Sequence, residues 1–206
     1  GRVVTEPLPS VRSVAIGIWI GSGSRDEEEP EAGLSHFLEH LLFRGTDRFG
    51  SAEIDQLYDG MGAELNAGTD KESTTVYARM LDEHLPRAFD VMADMVWRPA
   101  FRDVDPEREV VLEEIAMYED EPQDKVHDVL DGAIFEGHPL GRRVLGSAEV
   151  ISSIPVPDDW RERIGLFFGQ LGQFGADFLQ MQAGNLFIQP LRQHINTLFV
   201  VAPILP

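Results

Sequence analysis

The chain has 206 residues, no cysteine and a formal net charge of −19, from 17 Lys and Arg against 36 Asp and Glu. That charge excludes nucleic acid or an anionic membrane surface as the main partner; the missing cysteines exclude a disulfide framework, a Cys-ligated zinc and a thiol nucleophile. Length and a hydrophobic content of 43% suit one domain with a proper core, or two small ones.

In chain order, Arg2–Glu6 and Val11–Gly21 read as strands; in the second, Val14, Ile16, Ile18 and Ile20 alternate with Ala15, Gly17 and Trp19. A Gly, Ser and acid-rich loop over residues 22–31 leads to a helix from Leu34 to Phe43. Ser51 is a plausible N-cap for a helix carrying Ile54, Leu57, Tyr58 and Met61, which Gly60 and Gly62 end. Glu64–Ala67 and Ser73–Leu81 read as a hairpin with its turn at Gly68-Thr69-Asp70. Pro86 stands at the start of a helix presenting Leu85, Phe89, Met92 and Val96. Asp105-Pro106 caps and starts another, through about Tyr118, and Asp124–Phe135 is a further helix before a Gly/Pro-rich connection to Gly146. Strand pairs alternating with helix pairs predict an α+β fold: one largely antiparallel sheet with helices packed on one face. Composition changes near Pro157; beyond Gly165 only Asp177 and Arg192 are fully charged. A tail so apolar is expected to pack on the domain or on a partner, with a strand over Thr197–Ile204. No run approaches an apolar membrane span, and no leader-like segment precedes Arg2, so a cytoplasmic location is expected.

The most telling stretch is His36-Phe37-Leu38-Glu39-His40. The order H-x-x-E-H inverts the commoner zincin H-E-x-x-H. On a helix, at about 100° per residue, His36, Glu39 and His40 share one arc. Leu34, Phe37, Leu38, Leu41 and Leu42 form a core-facing stripe opposite it. The helix is thus anchored by one face and offers two imidazoles and a general base from the other. With no cysteine, the ligand set is His and carboxylate, which suits Lewis-acid and hydrolytic chemistry. A catalytic metal needs a third protein ligand. His84, His127, His138 and His194 are candidates on chemistry alone, and Glu107 and Glu114, seven apart, share a stripe of their own helix.

The run His36–His40, the segment Pro106–Glu119, the segment Gly62–Tyr77 and His138-Pro139-Leu140-Gly141 with Gly146 together resemble the pitrilysin/mitochondrial processing peptidase family, the inverzincin metallopeptidases. The resemblance covers about residues 2–157 and implies a first domain over 1–157, followed by a divergent segment over 158–206. It implies a zinc-dependent endopeptidase, or its catalytic half, cleaving extended or presequence-like peptides with one Zn2+ per chain. His36 and His40 become zinc ligands and Glu39 the general base; Glu114 falls at the third ligand and Glu107 at an acidic position that orients a ligand or water. Glu113 points about 100° away from Glu114, so both cannot face the metal. Asn66 and Ala67 match the edge strand on which the family adds an extended peptide by backbone hydrogen bonds. The family pairs two related halves around a chamber, so a second homologous half or subunit is the expected partner. The alternative is a non-catalytic metal- or peptide-binding subunit of a processing-peptidase-like complex.

Overall fold

The computed structural model describes residues 2–6, 8, 10–154 and 197–201. Strands β1 (Arg2–Glu6), β2 (Ser13–Ile20), β3 (Glu64–Thr69), β4 (Thr74–Leu81) and β5 (Thr197–Val201) form one sheet in the order β1-β5-β2-β4-β3. Every neighbour pair is antiparallel except β5 with β2. The fold is therefore α+β with a largely antiparallel sheet, as the strand and helix order predicts. Of the divergent segment 158–206, only β5 lies within the described residues; it occupies the first part of the expected Thr197–Ile204 strand.

Alternation explains which sheet face is covered. Val14, Ile16, Ile18 and Ile20 of β2 and Val76, Ala78 and Met80 of β4 point to one side and are buried. Against them pack helices α2 (Ser51–Gly60) and α3 (Leu85–Trp97) through Ile54, Tyr58, Ala88, Met92, Met95 and Val96. Buried aliphatic side chains of this size contribute about 1.5–3 kcal/mol each. The Tyr58 hydroxyl donates to the Ala88 carbonyl at 2.7 Å and ties α2 to α3. Gly62, at φ 59, ends α2 in the left-handed conformation.

A second, smaller cluster lies beside the sheet core. Here α1 (Leu34–Leu42) meets α4 (Val104–Asp120) and α6 (Ala148–Ser153) through Phe37, Leu38, Leu41, Val111, Ile115 and Ile151. The buried Arg108 of α4 donates to the carbonyls of Ile151 at 2.6 Å and Ile154 at 2.9 Å, holding the C-terminal end of α6. Helix α5 (Pro122–Ile134) packs on α4.

Several boundaries differ from the sequence reading: β2 covers only Ser13–Ile20, α1 ends at Leu42, Ser51 is the first residue of α2 with Gly50 as its N-cap, and α5 begins at Pro122. β3 runs on through Thr69, because Gly68 and Thr69 pair with Thr75 and Thr74; the turn falls at Asp70–Ser73, closed by Asp70 N–H to the Ser73 carbonyl at 2.8 Å. Helix α4 begins at Val104, not at an Asp105 cap. Val104 packs on the smaller cluster, Asp103 turns the chain at φ 55, and Pro106 falls in the first turn, where no intrahelical donor is needed. Helix α6 is an element the sequence reading lacks; Ser147 caps it by accepting the Val150 N–H at 3.3 Å.

Candidate metal centre

Helix α1 presents its two faces as its periodicity demands. Phe37, Leu38, Leu41 and Leu42 are buried in the two cores, while His36, Glu39 and His40 turn toward α4 and the β3 edge. On α4, Val111 and Ile115 are buried against α1, which fixes the rotation that brings Glu107 and Glu114 to the same side. Glu113 is exposed, so the choice between the neighbours falls to Glu114.

Three donors converge. His36 Nε2 and His40 Nε2 stand 3.2 Å apart, and Glu114 Oε2 lies 3.5 Å from the first and 3.4 Å from the second. Donors held about 2.0–2.1 Å from a tetrahedral ion are separated by about 3.3–3.4 Å, so the triangle has the dimensions of one face of such a site. Two imidazoles and a carboxylate, borderline nitrogen donors with one hard oxygen, are also a set of two His and one Glu that suits catalytic zinc. Among the described residues this is the one such cluster; His127 and His138 are exposed, His84 lies in a short turn before α3, and His194 lies outside the described residues.

The surroundings tune these groups. Burial and the neighbouring His40 pull the His36 pKa down to about 4, so its imidazole is neutral and available as a ligand. Burial also works against charge on His40, but its hydrogen bonds with the Glu114 and Glu107 carboxylates outweigh that and raise its pKa. The hydrogen bond from His40 holds the Glu114 carboxyl below its ordinary range, against the effect of burial. Burial raises the Glu39 pKa, with a hydrogen bond from Thr69 opposing it.

Glu107 is buried, at 3% exposure. Its Oε1 lies 2.9 Å from His40 Nδ1, and its other oxygen is ion-paired with Arg44. A proton on Nδ1 donated to Glu107 leaves the Nε2 lone pair facing His36 and Glu114, the orientation a ligand needs. Glu39 Oε2 accepts the Thr69 hydroxyl at 2.6 Å. The sequence reading assigns Thr69 to a turn, and Arg44, past the end of α1, carries no sequence signal. β3 is an outer strand of the sheet, with Asn66 exposed and its Oδ1 accepting the Ala67 N–H at 2.8 Å. The predicted residues therefore fall into two neighbouring groups, His36, Glu39, His40, Glu107 and Glu114 at the centre, Asn66 and Ala67 on the strand edge that Thr69 links to Glu39.

Similarity to known proteins follows the same span of chain. An uncharacterised zinc protease of Mycobacterium leprae is 51% identical over 155 residues, covering 74% of this chain and 35% of that protein. A probable mitochondrial-processing peptidase subunit beta of Arabidopsis thaliana is 38% identical over 159 residues, 76% of this chain and 30% of its own length. The crystal structure of pitrilysin superposes with a TM-score of 0.62 at 25% identity, over 72% of this chain and 16% of its own. The chain thus spans about a third of the length of the curated relatives it matches. The model of the insulinase family of peptidases, family M16, matches residues 2–148, and the chain belongs to that family.

Proposed function

We propose that this chain is the metal-bearing part of a zinc-dependent endopeptidase that hydrolyses extended peptides, presequence-like segments among them. The observation that carries the reading is the His36–His40–Glu114 triangle with Glu39 one residue from a ligand. Bound zinc supplies Lewis acidity, which polarises a carbonyl and acidifies water. The chain's own residues do the rest. His36, His40 and Glu114 hold the ion, and Glu107, clamped by Arg44, orients His40. Glu39 takes a proton from the attacking water and delivers it to the leaving amine; its burial raises its pKa toward the range of such a shuttle. An extended peptide adds to the outer edge of β3 at Asn66 and Ala67, where the local Asn66–Ala67 bond gives way to pairing with the ligand.

A second homologous half or subunit completes the peptide chamber in this reading, since the relatives are about three times as long as the matched segment. The complete ligand and base set favours catalysis over a purely binding subunit. Nucleic acid is not a partner in this reading, given the net charge of −19. Among the described residues no helix is long and apolar enough to cross a membrane. The test is hydrolysis of an unstructured peptide by the purified protein, with and without chelator. Chelator-sensitive cleavage that falls at least about 100-fold in Glu39→Gln is expected, the scale of a positioned acid–base group. Cleavage indifferent to both treatments refutes the mechanism, and stoichiometric zinc without cleavage supports the binding-subunit alternative.

A further inference from the structure

The helix that carries His36, Glu39 and His40 begins without a cap of its own. Its N-cap is Gly33, at φ 97, which has no side chain to offer. Two of the amides at its start are satisfied from upstream. Glu27 Oε2 accepts the Gly33 N–H at 2.8 Å, and Glu27 Oε1 accepts the Ser35 N–H at 2.6 Å. This carboxylate is buried, at 8% exposure, and both its oxygens are engaged. An anion there also complements the positive end of the helix dipole, within a turn of His36.

Glu27 is itself held on two sides. Just before it, Ser24 and Arg25 donate their amides to the carbonyls of Asp70 and Lys71, at 3.2 and 2.8 Å, in the turn of the hairpin that carries β3. From the other side Arg142 donates to the Glu27 carbonyl. In the same segment, Leu145 and Gly146 press on the start of α1. A Cβ on Gly33 would stand 2.6 Å from the Leu145 oxygen, and one on Gly146 would stand 2.1 Å from the Ala32 oxygen. This gives a role to the His138–Gly146 segment, which the catalytic set leaves unused.

We infer that Glu27 is a positioning residue for the metal centre: braced by the hairpin turn and by residues 142–146, its carboxylate sets the height and rotation of α1, and with them the placing of His36 and His40 against Glu114. The inference rests on the reading of those three residues as metal ligands. Glu27→Gln isolates the role, because an amide offers one acceptor where two N–H groups need two, and its NH2 then opposes a donor.

The test uses the full chain with Co2+ and Zn2+ as the probes. Glu27→Gln is expected to weaken metal binding about 10-fold in a chelator competition, the scale seen for groups that orient ligands. The visible absorption of the Co2+ form should weaken and shift as the ligand geometry changes, while Glu27→Asp, which keeps the charge but shortens the reach, falls between. In the metal-free protein, amide exchange at Gly33 and Ser35 should accelerate at least about 10-fold, as a lost cap predicts. If Glu27→Gln does not fold, the comparison is made with Glu27→Asp. A folded variant with affinity within twofold of native and an unchanged Co2+ spectrum overturns the inference. Should the native chain itself bind no metal, the proposed function fails instead, and unchanged amide protection in Glu27→Gln then sinks the cap separately.

Discussion

Glu107 is the most exacting place to test the centre, because it has two partners and almost no contact with water. Replacing it by Gln keeps the volume and an acceptor for the His40 Nδ1–H, but turns an NH2 toward the Arg44 guanidinium. Breaking a fully buried pair by removing one partner costs about 3–5 kcal/mol. Arg44 is about a third exposed and solvent takes up part of its charge, so about 2–3 kcal/mol is the expected loss of stability. The same change loosens the His40 tautomer and should weaken zinc binding by about 10- to 100-fold. Urea unfolding in the presence of chelator reads the first effect, and competition with a chromophoric chelator reads the second. Arg44→Met with Glu107→Gln closes a double-mutant cycle. If Arg44 acts through Glu107, the double variant should be more stable than the sum of the singles implies, by about 1 kcal/mol or more. Additivity within about 0.5 kcal/mol, or zinc affinity unmoved by Glu107→Gln, refutes the clamp.

Other consequences are as specific. Metal binding to the native protein at pH 6 should release about one proton, from His40, because His36 is already neutral with its pKa near 4. Affinity should therefore rise with pH until His40 is deprotonated; calorimetry in buffers of different ionisation enthalpy counts the protons, and a count near zero or two contradicts the assignment. Gly33→Ala forces a side chain into φ 97 and against the Leu145 carbonyl, so a loss of at least about 2 kcal/mol is expected in urea melts. A loss under about 0.5 kcal/mol would mean that the contact with residues 145–146 yields freely. Tyr58→Phe leaves the Ala88 carbonyl without its 2.7 Å partner in the sheet core and should cost about 1–2 kcal/mol with zinc affinity unchanged. A matching drop in affinity would show that the two cores are not independent.

The parts of this molecule that were legible in its sequence are those governed by local periodicity. Phe37, Leu38, Leu41 and Leu42 mark the buried side of α1, and their spacing alone puts His36, Glu39 and His40 on the other. Strand alternation in β2 and β4 likewise selects the sheet face that the helices cover. What periodicity leaves open is which helices meet. Helix rotation says only that Glu113 and Glu114 cannot face the same way; the family resemblance selects Glu114, and its approach to His36 depends on Val111 and Ile115 packing on α1. Arg44, Thr69 and Glu27 act across elements, where spacing carries no signal. Thr69 was further hidden by its neighbours, since Gly68 and Asp70 are turn formers and only the pairing with Thr74 keeps it in the strand.

The two-cluster core explains how a short helix holds a centre of this accuracy. Leu42 belongs to the sheet core, whereas Phe37, Leu38 and Leu41 belong to the cluster with α4 and α6. Helix α1 therefore contributes to both clusters, with His36, Glu39 and His40 on its other face. One cluster positions α1 against the β3 edge, through Leu42 and the Thr69–Glu39 bond; the other positions it against Glu107 and Glu114. Glu39 and the β3 edge are thus referenced to the sheet, and Glu114 to the helices. A cavity in the helical cluster, as from Val111→Ala, should disturb metal affinity first, because it frees α4 to rotate while leaving the α1–sheet contact intact. An equal cavity in the sheet core, as from Val76→Ala, should cost comparable stability yet leave the His36–His40–Glu114 triangle in place. The distinction follows because, among the described residues, α1 and α4 carry all three members of the His36–His40–Glu114 cluster and the sheet carries none.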